Sequence, residues 1–139
     1  MKETLIRIQG VPCDAVPQIW PLVCDWVEEA LERGSIQTAD EVLEKIKNRE
    51  YQLWLIDDGE PAGAFVTCIA TGGRASELVV VCLGGRSMDR WLKAGEDVLS
   101  RFAREKGCRR IQMHGRPGWR RKLGSLGWKQ KFVNMTKEL

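Results

Sequence analysis

The sequence contains no apolar run long enough to cross a bilayer. Among its longest is the stretch Leu78–Leu83, far short of the roughly 20 residues a membrane helix needs. The opening MKETLIRIQG has no continuous apolar core of the kind a signal peptide carries. A cytoplasmic protein with no membrane partner is therefore expected. No C-x-x-C pair occurs among the five cysteines, Cys13, Cys24, Cys68, Cys82 and Cys108. An odd number set mostly in apolar segments points to buried, reduced thiols rather than a metal or redox centre. Histidine and tyrosine occur once each, at His114 and Tyr51. No phosphate-binding Walker loop, zinc-ligand set or Ser-His-Asp constellation is visible, so no metal is expected. There is no linker, repeat or low-complexity stretch, and residues 1–139 are read as one domain.

What is present is ordinary for a folded globular chain: 43% hydrophobic and 29% charged residues. The net charge of +3 helps an anionic ligand approach but is no nucleic-acid signature by itself. TLIRIQ (4–9) alternates as a strand does. PLVCDWVEEALERG places Leu22, Val23, Trp26, Val27, Ala30 and Leu31 on one helical face, with Pro21 in its first turn and Gly34 ending it. Thr38 and Glu41 have capping-box spacing ahead of Val42, Leu43 and Ile46. YQLWLI (51–56) and AGAFVTCIA (62–70) flank Asp58-Gly59, a hairpin signal. TGGR (71–74) turns into the β-branched run ELVVVCL (77–83).

The helix after it carries Trp91, Leu92, Val98, Leu99, Phe102 and Ala103 inward and is capped by Gly107. CRRIQMH (108–114) reads as a strand, RPGWRRKLGSLG (116–127) as a short helix, and the segment from Trp128 to the end as a final strand. The order is β-α-α-β-β-β-α-β-α-β. The three central strands are joined by turns, whereas strands four and five need a crossover and should be parallel. The fold class is thus α/β, an α+β mixed sheet with helices packed on it. Trp26, Leu53, Phe65, Val80, Leu99, Phe102 and Ile111 are the expected core.

This order, with the Leu126-Gly127-Trp128 turn near its end, resembles the GNAT family of N-acetyltransferases. The resemblance spans nearly the whole chain and implies that the fourth strand and following helix embrace acetyl-CoA or CoA. The pyrophosphate would lie on backbone N–H groups where the helix dipole favours anions. It assigns cofactor contact to Leu83, Gly84, Gly85, Arg86, Ser87, Met88 and Arg90. The family loop, R/Q-x-x-G-x-G/A, is altered here: counted from Arg86, its glycine positions hold Asp89 and Trp91. Asp89 has a purely structural alternative as a helix N-cap, and Gly84 and Gly85 have one as a tight turn.

Amide formation needs a base for the amine and a proton for the departing thiolate. The resemblance implies a glutamate base on the fourth strand, matched by Glu77, whose plainer reading is an exposed strand-end carboxylate. The family's tyrosine acid aligns with Leu123, and the asparagine often found after the fifth strand aligns near Arg116. His114, at the end of strand five, is the remaining group able to exchange protons near neutral pH. Arg116, Arg120, Arg121 and Lys122, with Trp119 and Trp128 around them, could meet a CoA phosphate or nucleic acid, or simply form a solvated helix face.

The pair LGGRSMDRWL and GRPGWRRKLGSLGW also resembles small GNAT-like proteins of bacteriophages and prophages. That likeness implies a catalytically degenerate protein with a binding or virion-assembly role, other phage proteins as partners, and residence in the host cytoplasm or virion. An active acetyl-CoA-dependent N-acyltransferase and a nucleic-acid-binding module using residues 116–122 stand beside it as alternatives, with nucleic acid not the expected partner.

Overall fold

The computed structural model describes residues 5–139. The elements run β1 (Arg7–Gly10), α1 (Val16–Glu32), α2 (Ala39–Lys47), β2 (Gln52–Asp57), β3 (Pro61–Thr71), β4 (Ser76–Gly85), α3 (Leu92–Glu105), β5 (Cys108–Met113) and α4 (Gly118–Gly124). Short 3-10 turns precede α1 at Cys13–Ala15 and α3 at Met88–Arg90. One sheet holds all five strands in the order β1-β2-β3-β4-β5. Pairing is antiparallel from β1 to β4 and parallel between β4 and β5, because α3 carries the chain back across the sheet. This is the mixed α/β sheet that the sequence implies. Among the described residues no helix is long and apolar enough to cross a membrane.

Each face of the sheet has its own core. On one, Val16, Val23, Val27 and Leu31 of α1 and Val42 and Ile46 of α2 close over Leu53, Ala64, Val66 and Cys82. On the other, Leu99 and Ala103 of α3 cover Phe65, Leu78 and Val80. Fully burying each of the valine, leucine, isoleucine and phenylalanine side chains contributes about 1.5–3 kcal/mol. Leu53, Phe65, Val80 and Leu99 are buried as expected, while Trp26, Phe102 and Ile111 are half-buried at the core margins. Thr67, fully buried, is satisfied: its hydroxyl accepts from Trp54 Nε1 at 3.0 Å and donates to Gln52 Oε1 at 2.9 Å. The capping box at Thr38 and Glu41 forms in full. In the β2–β3 hairpin Gly59 adopts φ +115°, while its N–H donates to Asp57 Oδ1.

Five expectations are corrected. Helix α1 starts at Val16, so Pro21 lies inside it rather than in its first turn. The apolar stripe from Val16 to Leu31 outweighs the one backbone hydrogen bond that a proline removes. Leu22, off that stripe, is exposed. Asp89 is not the cap of α3, which begins at Leu92 without a side-chain cap; Asp89 lies in the 3-10 turn and pairs with Lys122 at 3.5 Å. Only Cys82 of the five free cysteines is fully buried. The closing segment forms no strand: residues 128–139 have no regular structure, and Phe132, Val133 and Met135 are exposed. Lys129 and Lys131, on one face of such a strand, would add positive charge beside β5, where Arg109 is already unpaired among the described residues, and like charges on neighbouring strands oppose pairing. Of the expected first strand, residue 4 lies outside the described residues.

Candidate functional site

Val66 pairs with Cys82 and Thr67 with Val80, so Val81 has no partner on β3 and forms a β-bulge. A bulge bends its strand and increases the local twist. The last β4–β5 pair, Val80 with Met113, lies immediately before it. Beyond that point β4 continues to Gly85 on β3 alone, and the two parallel strands part. The result is a fork whose β4 side presents backbone N–H and C=O groups without ladder partners. It opens into a groove of about 1860 Å³.

The glycines at the end of β4 are required by packing. A Cβ on Gly84 would stand 3.0 Å from the Trp26 carbonyl oxygen of α1. One on Gly85 would stand 2.3 Å from the Ala62 carbonyl oxygen and 3.0 Å from the Trp91 ring, at a φ of +153°. Trp91, 1% exposed, fills the space beneath the loop. It packs edge-on against Phe65 with ring centroids 5.5 Å apart. It therefore blocks nothing at the surface.

The arginines of this loop face the β2–β3 hairpin. Arg86 donates from Nη1 and Nη2 to the two carboxylate oxygens of Asp58, at 3.1 and 2.9 Å. Arg90 Nη1 lies 3.5 Å from the same carboxylate, and Glu60 lies 3.6 Å from Arg86. The Arg86 hydrogen bonds hold the Asp58 carboxyl below its usual range despite opposition from burial. The same bonds raise Arg86. Backbone N–H groups of Arg86, Arg90 and Trp91 are taken by Ala62, Ser87 and Met88 carbonyls. Those of Ser87, Met88 and Asp89 have no acceptor among the described residues. Ser87 is held at φ 53°, in the left-handed region.

Of the residues singled out by sequence, Leu83, Gly84, Gly85, Met88 and His114 line the groove together, whereas Arg86, Ser87, Arg90 and Glu77 do not. Glu77 lies three residues before Val80, about 10 Å of strand from the fork. Its carboxylate accepts from Arg110 Nε and Gln112 Nε2 across the β4–β5 ladder. His114 is exposed just beyond β5. Leu123 is buried, with 8% exposure. Tyr51 exchanges hydrogen bonds with Gln37.

Two residues were missed in the sequence. Asp58 read only as a turn former. Glu96 of α3 lines the groove, and its Oε2 is shielded from solvent without a hydrogen-bond partner; Lys93 Nζ stays 3.9 Å away. Nothing in the spacing of α3 marks Glu96, which sits beside the buried Gly95. Among the described residues no three potential ligands from His, Cys, Asp and Glu gather.

No protein-family model matches the chain, and no curated protein matches it in sequence. Solved structures do match its shape. A glucosamine-6-phosphate N-acetyltransferase from Arabidopsis thaliana is 13% identical, covering 96% of this chain and 98% of that one, with a TM-score of 0.64. An aminoglycoside acetyltransferase from an uncultured soil metagenomic sample is 12% identical over 96% of both chains, with a TM-score of 0.68. A GNAT family acetyltransferase from Staphylococcus aureus is 18% identical, covering 96% and 98%, with a TM-score of 0.64. The chain therefore has the GNAT fold.

Proposed function

We propose that this protein binds an acyl-CoA through its pantetheine arm in the fork between β4 and β5 and is an N-acyltransferase. The fork at Val81 carries the reading. An extended amide-containing arm can complete the unpaired edge of β4 as a strand would. Glu96 Oε2, shielded from solvent with no hydrogen bond and Lys93 Nζ 3.9 Å away, can accept from the amide N–H groups such an arm supplies. The N–H groups of Ser87, Met88 and Asp89 suit its phosphates, while Arg86 and Arg90 are largely neutralised by Asp58 and Glu60 together. Affinity for the pyrophosphate is accordingly modest.

In the reaction the amine nitrogen forms a bond to the thioester carbonyl carbon, the carbon–sulfur bond breaks, and the amine proton must leave. Glu77 would accept that proton through water, since its oxygens already serve Arg110 and Gln112 and it stands back from the fork. His114, exposed at the mouth, would return a proton to the thiolate. A free-thiol release assay with acetyl-CoA over an amine and peptide panel tests this. Turnover that falls about 10²–10⁴-fold in Glu77→Gln is expected; equal background rates in both proteins would refute it.

A second reading rests on Leu123 and Asp58. With an apolar side chain at the acid position and a neutralised loop, the fold would serve binding or virion assembly without transfer. In that case calorimetry with acetyl-CoA shows no heat.

A further inference from the structure

The net charge of +3 conceals a segregation. Residues 104–131 carry ten lysines and arginines against one acid, Glu105, leaving twelve basic and eighteen acidic residues in the rest of the chain. Strand β5, helix α4 and the segment after it place this charge along the outer wall of the groove. Arg109, Arg116, Arg120, Lys129 and Lys131 line that wall. Arg110 is held by Glu77 and Lys122 by Asp89, and Arg120 donates to the neutral Gln130. Arg109, Arg116, Lys129 and Lys131 make no ion pair within 4 Å among the described residues. Such crowding is self-repulsive and is relieved by a polyanion.

Aromatic side chains share the wall. Trp119 and Trp128 are half-buried in it, and Phe132 is 73% exposed. A cationic groove interleaved with aromatic faces suits single strands, whose phosphates follow the charge while the bases stack. Duplex reading fits poorly, because the seven residues of α4 make a helix only about 10 Å long. An acidic protein would use the charge and leave the rings without work.

We propose that the wall built by β5, α4 and residues 128–133 binds single-stranded nucleic acid without sequence preference. Phosphates lie on Arg109, Arg116, Lys129 and Lys131, and bases stack on Phe132 and Trp128. This site stands whether or not the fork takes an acyl-CoA.

The test is fluorescence anisotropy of labelled dT12 and rU12 in the absence of CoA. With four phosphate contacts, raising salt from 50 to 200 mM should weaken binding about 50-fold. Arg116→Ala and Lys131→Ala should each lower the slope of log affinity on log salt by about 0.7. Phe132→Ala, at an exposed site that leaves the fold intact, should lose about tenfold, and Arg101→Ala on α3 nothing. Binding of either oligonucleotide with this pattern supports the site, and a preference between them names the sugar it favours. No binding at 50 mM salt overturns it. So does binding insensitive to Phe132→Ala and matched by poly-L-glutamate, which would identify a dock for acidic proteins instead.

Discussion

The indole of Trp91 donates its N–H to the Arg86 carbonyl at 2.9 Å, fastening the loop after β4 from inside the core. Just before that loop, at the end of β4, Gly84 and Gly85 leave room for α1 and for the same indole. Trp91→Ala should cost about 3–5 kcal/mol. Trp91→Phe, which keeps an aromatic ring but drops the hydrogen bond, should cost less. Urea unfolding monitored by circular dichroism would measure both, and a Trp91→Ala midpoint equal to wild type would contradict the packing.

Gly95 faces Phe65 across the α3–sheet interface. A Cβ there would lie 2.5 Å from Phe65 Cζ, and Phe65 is wedged against Trp91. Alanine in a helix interior is favoured over glycine by about 1 kcal/mol, whereas overpacking costs typically about 1–3 kcal/mol. Gly95→Ala is therefore expected to lower stability. A raised thermal midpoint would show that Phe65 can move.

The Asp58–Arg86 pair makes stability depend on pH in a stated direction. Asp58 is held below the usual carboxylate range in the folded protein, so its contribution is present above the unfolded value near 3.8 and is lost as pH falls through the folded one. Arg86 stays charged throughout. The melting temperature of wild type should exceed that of Asp58→Asn at pH 7, and the gap should close as pH falls through the folded value of Asp58, which lies below 3.8. A gap unchanged in acid would mean that the carboxylate is not the source.

Burial pushes the Cys82 thiol up to about 12, and desolvation raises Cys68 as well. Thiolate is the reacting form, so Cys82 should resist a thiol reagent at pH 8 in native protein and react once the chain is unfolded. Rapid native labelling of Cys82, mapped by mass spectrometry, would place it outside the core between β4 and α1.

Features written in local spacing were legible in the sequence: the Thr38–Glu41 box, the Asp58-Gly59 hairpin, the α3 stripe and the parallel β5 that a crossover requires. The start of α1 was not, because Pro21 signals a boundary locally while the stripe that overrides it is longer. Within the site, Gly84 and Gly85 were found, but their reason lies in Trp26, Ala62 and Trp91, which only tertiary packing brings near. Asp58 and Glu96 were missed on the same ground. Arg86 and Arg90 looked free for phosphate because their partner lies 28 and 32 positions earlier in the chain.

The bulge at Val81 turns two consecutive side chains, Val81 and Cys82, toward the α1–α2 layer. Residues before and after it on β4 consequently follow opposite parity. Whether β4 and β5 stay paired or part is thus a matter of counting. One residue inserted in β3 between Val66 and Thr67 would give Val81 a counterpart and restore a single parity along β4. The strand would then run straight beside β5 and the groove would lose its entrance, while the residues beyond the insertion turned to the opposite face of the sheet.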